Sequence, residues 1–328
     1  MKRFAAVVCA FAASLGWAHH ASAQSNVPDN FPSKPIVIVV PYPPGGAVDV
    51  MARAMAEGLG SKLGKPVVVE NRAGGGGTVA AAYVANAAPD GYTLLCSDLA
   101  PLVIARSAMP KLSYDTLKDF VGISLGTNAT LNLSIRKDLP ASSVAEFVKL
   151  AKEAPGGITY SSAGVASITH VAGALFESLT KTQLRHIPYR GGAPATVAVL
   201  SGEVDASFTQ LITSLPYLKE GKMRSLGVTL SERSRLAPDL PTLDEQGVKG
   251  YQLGVWQGVV APAATPKPVV EFLSNAFREV LLSPTVNARL TGLGYDVTPM
   301  GSSEFTAFMG AEAKRWEKVV HAADIRVE

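Results

Sequence analysis

The sequence predicts an α/β protein of two lobes joined by two strands that cross between them. Three observations support this. Short apolar runs that suit buried strands alternate with segments of helical periodicity, the order that builds parallel sheets. Two extended stretches without helical periodicity, residues 120–135 and 251–260, suit strands that pass from one lobe to the other. Two glycine-rich turns of related sequence each follow a strand and open a helix, one in each half of the chain.

Length and composition are those of a globular protein. The chain has 328 residues, of which 47% are hydrophobic and 17% are charged. At about 100–200 residues per domain, this length predicts roughly two domains. The 30 basic and 27 acidic residues leave the chain near neutrality, without the basic face that a nucleic-acid-binding protein usually shows. We therefore expect no nucleic-acid partner.

The segment 1–23 predicts a cleaved export signal. Lys2 and Arg3 form a basic start, an uncharged apolar stretch follows at 4–16, and Ala-Ser-Ala at 21–23 fits the small-x-small cleavage pattern. The apolar stretch is shorter than the about 20 residues that a bilayer span needs. We expect cleavage after Ala23 and an exported, soluble mature protein.

The first half of the chain predicts the order βαβαβ. Strands are expected at 36–40, 67–69 and 92–96, and helices at about 48–62 and 78–88. Gly45 and Gly46 allow a sharp turn after the first strand and bring bare backbone N–H groups close to a bound group. The helix that follows directs its unpaired N–H groups and the positive end of its dipole to the same point. This stretch therefore predicts an anion-binding turn.

The second half continues the alternation. After the long strand at 120–135 the expected elements are a helix at 143–154, a strand at 159–161, a helix at 168–180, a strand at 184–188, a helix at 193–201, and strands at 206–209 and 225–229. The stretch 251–260 returns to the first lobe, where helices at about 268–282, 284–293 and 303–322 pack. We expect one lobe from 24–125 and 256–328, the other from 126–255, and a hinged cleft between them.

The two related turns are 41–46 (PYPPGG) and 188–192 (PYRGG). Ligands of open α/β sheets lie beyond the carboxyl ends of the strands, so both turns are expected to face the cleft with one anion-binding site each. A third segment, 161–170 (SSAGVASITH), also follows a strand and opens a helix. It is either an ordinary helix cap or a further set of hydrogen-bond donors for the cleft.

Other chemistries lack support in the sequence. The four glycines at 74–77 follow a strand, but Ala80 stands where a dinucleotide fingerprint needs its third glycine. The histidines outside the leader are far apart in sequence and not at metal-ligand spacing. No G-x-S-x-G pattern stands at a predicted strand-to-helix turn, since the match at 122–126 lies within the expected strand at 120–135. We expect no catalytic residue, no cofactor and no metal, and Cys96 is expected to be a buried small hydrophobe.

Together these features resemble the Bug-type solute receptors of tripartite tricarboxylate transporters. The resemblance covers essentially the whole mature chain and rests on the export signal and on PSKPI, PPGGAVD, VVENR followed by glycines, PDGYTLL, YDTLKDF, SITHVAGALF, PYRGGAPA and APDLPT, in this order. It implies a periplasmic-binding-protein (Venus flytrap) architecture. It also implies a monomeric periplasmic receptor, not an enzyme, that closes on a small carboxylate and delivers it to membrane permease subunits.

Carried over onto this chain, the resemblance implies two sets of ligand-binding residues. The first-lobe set is Tyr42, Gly46, Ala47, Val48 and Asp49. The second-lobe set is Gly164, Ser167, Thr169, Tyr189, Arg190 and Gly191, with Asp205 and Phe208 behind it. In this family the carboxylate is held by loop amides, hydroxyls and bridging waters more than by paired arginines.

Two departures from the family pattern matter. Many relatives carry a hydroxyl residue at one of the positions held here by Ala47 and Val48, so backbone N–H groups must contribute more. The loop after the third strand, often small and hydroxyl-bearing, contains Ser97 and Asp98 here. Both are expected at the ligand site. Asp98 either caps the next helix or lines the cleft and meets an amino or hydroxyl group of the ligand.

Two other functions stay open from the sequence. One is a periplasmic sensor that feeds a membrane kinase, and the other is a periplasmic enzyme acting on a similar small acid. The chain shows no plausible nucleophile–base pair, metal cluster or cofactor loop, which argues against the enzyme. The sequence does not identify the carboxylate.

Overall fold

The computed structural model describes residues 27, 30–154, 156–322 and 325–326; the predicted export signal at 1–23 lies outside the described residues. The strands are β1 (Ile36–Val40), β2 (Val67–Asn71), β3 (Thr93–Asp98), β4 (Phe120–Arg136), β5 (Ile158–Ser162), β6 (Leu184–Pro188), β7 (Ala206–Gln210), β8 (Met223–Val228), β9 (Gly254–Pro262) and β10 (Asp296–Met300). The helices are α1 (Ala47–Leu63), α2 (Thr78–Ala85), α3 (Ala105–Ala108), α4 (Thr116–Asp119), α5 (Val144–Glu153), α6 (Ile168–Thr180), α7 (Gly192–Leu200), α8 (Leu211–Lys219), α9 (Lys267–Leu282), α10 (Pro284–Gly292) and α11 (Ser302–Ala322).

The strands form one curled sheet in the order β2-β1-β3-β9-β4-β7-β5-β6, and β8 and β10 also pair with β4. β1 is parallel to β2 and β3, and β5 is parallel to β6 and β7, as the alternation of elements predicts. Between these two parallel units β9 runs antiparallel to both β3 and β4. The fold is therefore α/β with two lobes, as expected from the sequence.

The 17-residue strand β4 connects the two parallel units. Its first part, up to Thr130, pairs with β9 and β10, and the part from Leu131 onward pairs with β7 and β8. The predicted crossing strand at 120–135 is thus confirmed as one continuous element. The predicted return strand at 251–260 is β9, which begins at Gly254. The preceding residue, Leu253, donates its N–H to the carbonyl of Thr229, just past the end of β8.

The C-terminal helix α11 is anchored to the returning strand by a buried carboxylate. Glu312, 7% exposed, accepts hydrogen bonds from the indole Nε1 of Trp256 in β9 (3.0 Å) and of Trp316 in α11 (2.9 Å). Arg315 of the same helix donates to the carbonyl of Gln252, just before β9. A buried charge needs such partners, so these contacts hold α11 firmly against the point where the chain crosses back.

Close packing explains the glycine of the segment SITHVAGALF. A Cβ placed on Gly173 in α6 would lie 2.3 Å from Cε2 of the buried Tyr160 ring on β5. Only glycine lets the helix approach the strand this closely. Tyr160 in turn contacts the ring of Phe208 on β7, and this aromatic group forms part of the second lobe's core.

The elements that the sequence analysis did not predict include the short helices α3 and α4, the strand β10 and the helix α8. β10 forms because β4 offers it an edge, with Asp296 opposite Asn128 and a register shift before Met300; a proline within the strand obscures its pattern. The helix α8 contains Pro216, which normally interrupts a helical pattern. Within the part of the chain that the structure describes, no helix has the length and apolar character needed to cross a membrane.

Candidate functional site

The predicted ligand-binding turns lie at the carboxyl ends of parallel strands. The turn 41–46 follows β1 and Asp98 ends β3, so both are at one edge of the first parallel unit. The loops 163–167 and 189–191 follow β5 and β6, which end at one edge of the second unit. The Tyr189 N–H donates to the carbonyl of Ser162 (2.9 Å), which joins these two loops directly.

Asp49 organises the first turn rather than presenting a free carboxylate. Its Oδ2 accepts from the Gly45 N–H and from Arg53 Nε, both at 2.9 Å. Its Oδ1 accepts from Asn71 Nδ2 at 2.8 Å, and the same amide donates to the carbonyl of Tyr42. Burial opposes ionisation of Asp49, but these hydrogen bonds outweigh it and lower the pKa of the carboxyl. The aspartate of PPGGAVD and the asparagine of VVENR thus form one structural unit.

The start of α1 presents backbone N–H groups without a side-chain acceptor. Gly46 is the N-cap residue, with an extended conformation (φ −74°, ψ 167°), and no described side chain caps the helix. The adjoining Gly45 has φ +83°, a conformation that favours glycine, and it directs the chain into the helix. Ala47 and Val48 supply the first helical N–H groups, while the Val48 side chain is buried in the core. The turn can therefore accept an anion through its backbone.

Asp98 lies beside this turn and is 8% exposed. Its Oδ1 accepts from the Tyr42 hydroxyl (2.8 Å) and from the Ala100 N–H (3.0 Å) at the start of the π-helical turn Ala100–Ile104. Burial raises its pKa to about 6, although both hydrogen bonds favour the charged form. One oxygen of Asp98 thus serves the next helical turn, as the cap interpretation expects. Ser97, by contrast, is fully buried, and its hydroxyl donates to the Asp98 carbonyl (3.3 Å).

In the second lobe the hydroxyls of Ser167 and Thr169 build their own loop. Ser167 is the N-cap residue of α6, accepting from the His170 N–H (3.3 Å) and donating to the Gly164 carbonyl (2.6 Å). Thr169 Oγ1 accepts from the Ala163 N–H at 2.8 Å. The helix-cap interpretation of this segment is therefore correct. Gly164 adopts φ +128°, which only glycine takes up readily.

Two histidines that look isolated in the sequence stack directly behind this loop. The rings of His170 and His186 are 3.9 Å apart and nearly parallel, at 7°. His170 Nδ1 accepts from the Ala166 N–H (3.1 Å), and His186 Nε2 lies 2.6 Å from the Ser162 hydroxyl. Burial lowers the pKa of both to about 4, and the neighbouring ring adds to this for His186. Sequence reasoning missed the pair because only the packing of α6 against β5 and β6 brings the two side chains together.

The turn PYRGG has a fixed tyrosine and a free arginine. The Tyr189 hydroxyl donates to Glu203 Oε1 at 2.7 Å. Gly191, at φ +120°, is the N-cap residue of α7, again without a side-chain cap. Arg190 is exposed, and no described residue forms an ion pair or hydrogen bond with its guanidinium. The charge is available at the carboxyl end of β6.

The structure does not bring Asp205 and Phe208 to these loops. Asp205 precedes β7, at the opposite edge of the sheet, and its carboxylate accepts from Arg136 Nε (2.9 Å) and from the N–H and hydroxyl of Thr159. Phe208 is fully buried between aromatic rings of the second lobe. Both residues have structural roles here. Among the described residues no group of three His, Cys, Asp or Glu side chains could hold a metal.

The two parallel units and the strand that they share form the two-lobed architecture of the periplasmic binding proteins. The structure is similar to an adipate-bound protein of R. palustris (TM-score 0.84, 31% identity, covering 90% of this chain and 99% of that one). It is also similar to malate-bound MatC of Rhodopseudomonas palustris (TM-score 0.79, 34% identity, covering 88% of this chain and 100% of that one). The periplasmic binding protein BugD is a third similar structure (TM-score 0.80, 31% identity, covering 90% of this chain and 100% of that one).

The family follows from the sequence itself. Residues 51–325 match the tripartite tricarboxylate transporter family receptor. Protein BugT of Bordetella pertussis is 34% identical over 329 residues, covering 100% of this chain and 99% of its own. The chain therefore belongs to the receptor family of tripartite tricarboxylate transporters, and its resemblance to the Bug-type receptors is confirmed.

Proposed function

We propose that this protein captures a small carboxylate in the cleft between its lobes and delivers it to the permease subunits of a tripartite tricarboxylate transporter. The observation that carries the proposal is the turn before α1. There Asp49 fixes the loop through Gly45, and the uncapped helix start offers the N–H groups of Ala47 and Val48 to an anion. Solved relatives with similar folds hold adipate and malate, which are both small dicarboxylates.

We place the second part of the ligand site at the two joined loops of the other lobe, 163–167 and 189–191. Gly164 and Gly191 expose backbone there, Ser167 and Thr169 hold the first loop in place, and Arg190 adds an unpaired positive charge. Asp205 and Phe208 support this lobe from behind without touching the ligand. The proposed lobes are 24–125 with 256–328, and 126–255. A division into two lobes is supported by the change of partners along β4, which falls between Thr130 and Leu131.

The proposed setting is the periplasm. The segment 1–23 has the organisation of an export signal, with cleavage after Ala23. We propose that the mature protein acts as a monomer and as a receptor rather than an enzyme. This is supported by a family of receptors and by a site that offers mainly backbone amides. The Ser162 hydroxyl beside His186 is fully buried and is held by the backbone of Gly164.

The proposal is tested by a ligand screen on the purified mature protein. Bound ligand is first removed by unfolding and refolding, and melting is then followed in a panel of mono-, di- and tricarboxylates. A ligand present at 100 times its Kd stabilises the folded state by about 2.7 kcal/mol. We expect at least one carboxylate to raise the melting temperature, with the affinity then measured by calorimetry. If no carboxylate shifts melting at millimolar concentration, carboxylate binding is refuted.

Delivery to the permease needs a separate measurement. Cells that express the large and small membrane subunits are supplied with the labelled carboxylate from the screen. We expect uptake to require this receptor and to fail with a variant that folds but does not bind. Equal uptake without the receptor would refute the transport role while leaving binding intact.

A further inference from the structure

Asp98 is placed at the anion-binding turn by one contact of its own and by one of its neighbour Cys96. Cys96, two residues earlier on the same face of β3, has its Sγ 4.0 Å from the carbonyl of Val48 in the first turn of α1. The Tyr42 hydroxyl, from the turn itself, donates to Asp98. The carboxylate therefore lies between the turn 41–46 and the end of β3, at the edge where ligands of such sheets bind.

Hydrogen bonds from other described residues reach only one oxygen of Asp98. Oδ1 accepts from both Tyr42 and Ala100, whereas Oδ2 accepts from no other described residue and is not fully enclosed by protein atoms. No arginine or lysine in the described part of the chain pairs with Asp98. Gln257 lies directly opposite on β9, yet no hydrogen bond joins the two side chains. A carboxylate this buried normally has its acceptors filled, so Oδ2 is available to a donor from outside the protein.

The charge of Asp98 also acts on any anion bound nearby. A bare carboxylate held by the N–H groups of α1 would face a second negative charge in a partly desolvated site, which is unfavourable. A ligand that carries a hydroxyl or ammonium group beside its carboxylate can donate to Oδ2 instead. Such a charge-assisted hydrogen bond is among the stronger ones in proteins.

We propose that Asp98 makes this receptor selective for carboxylates that carry a hydrogen-bond donor, a hydroxyl or an ammonium group, over the unsubstituted acid. This rests on the proposed carboxylate-binding function and specifies its ligand class. Oδ2 is the acceptor, and Tyr42 and the Ala100 N–H hold the carboxylate in position through Oδ1. Relatives that lack an acidic residue in this loop need not share the preference.

The test compares matched acids by calorimetry on the mature protein and on Asp98→Asn. The probes are succinate, malate and aspartate, with glutarate, 2-hydroxyglutarate and glutamate as the longer series. We expect the wild type to bind a substituted acid about 10-fold or more tightly than its unsubstituted parent, the scale of one charge-assisted hydrogen bond. In Asp98→Asn the substituted acid weakens by a similar factor. The unsubstituted acid is expected to bind Asp98→Asn at least as tightly as it binds the wild type, because the asparagine amide can donate a hydrogen bond to its carboxylate.

A matched control separates selectivity from stability. Asp115 caps α4 by accepting from the Leu117 N–H, so Asp115→Asn also removes one charge from a cap in this lobe and is expected to keep the wild-type ranking. A ranking set by the hydroxy acid identifies the hydroxyl as donor, and one set by the amino acid identifies the ammonium; both support the proposal. An unchanged ranking in Asp98→Asn, with its fold shown by circular dichroism, overturns it while carboxylate binding stands. Absence of binding by every carboxylate, including those of the wider screen, would instead overturn the proposed function.

Discussion

Replacing Gly46 by proline tests whether the turn before α1 binds its anion through the backbone. Proline fixes φ near −65° and removes the N–H. Gly46 already has φ −74°, its N–H donates to no other described residue, and the residue before it, Gly45, is itself a glycine and tolerates a following proline. The substitution therefore deletes one potential donor to the ligand with little change in backbone conformation.

Gly46→Ala is the matched control, because it keeps the N–H. A Cβ at this position would lie 3.5 Å from the Pro43 carbonyl oxygen, an ordinary contact. The lost bond in Gly46→Pro is a charge-assisted one to a carboxylate, which contributes about 1.5–3 kcal/mol. This corresponds to a Kd roughly 10- to 150-fold higher. Gly46→Ala is expected to bind within about 3-fold of the wild type, since it loses no donor.

The measurement is calorimetry with the carboxylate found by the screen, on variants whose melting temperatures are also recorded. Proline at a compatible position tends to stabilise a protein by about 0.4–1 kcal/mol, so we expect melting of Gly46→Pro without ligand to be preserved. The backbone-anion argument is refuted if Gly46→Pro and Gly46→Ala bind equally well. Equal weakening of both variants would point to the side-chain space at residue 46 rather than to its N–H.

Three further predictions concern the hinge, the histidine pair and the second lobe. Glu312→Gln should lower the free energy of unfolding by about 1–3 kcal/mol, because Oε2 accepts from both indole N–H groups and both lose a charged acceptor. An unchanged urea midpoint, read from tryptophan fluorescence, would contradict the role of this carboxylate. The pKa values of His170 and His186 lie near 4 in the folded state against 6.5 for the free side chain. The unfolded chain therefore takes up protons first, and stability should be constant above about pH 6.5 and fall toward pH 4, by at most about 1.4 kcal/mol per pH unit for each histidine. Urea unfolding at several pH values should show a shallower fall in His186→Asn, and identical slopes would exclude the pair as the cause. Arg190→Ala should weaken ligand binding less than Gly46→Pro does, because the guanidinium is exposed and its charge is screened by solvent; calorimetry showing a loss above about 100-fold would instead indicate direct pairing with the carboxylate.

The sequence alone determined the alternation of most strands and helices and the family of the protein. A run of β-branched residues, as in β1, predicts a buried strand. The long stretch that forms β4 has no helical periodicity over its whole length, which predicts an extended conformation. These are local signals, so they survive without knowledge of neighbours. The motifs PPGGAVD and PYRGG place two glycine turns after strands, and strand ends determine where such turns lie in an α/β sheet.

What each polar side chain does was decided only by the tertiary structure. Asp49 and Asp98 look equivalent in the sequence, yet Asp49 has both oxygens filled by the protein while Asp98 keeps one open. His170 and His186 become partners because helix α6 packs against β6. Asp205 lies away from the proposed site because it precedes its strand. Hydrogen-bond saturation and burial depend on residues distant in the chain, and no local pattern encodes them.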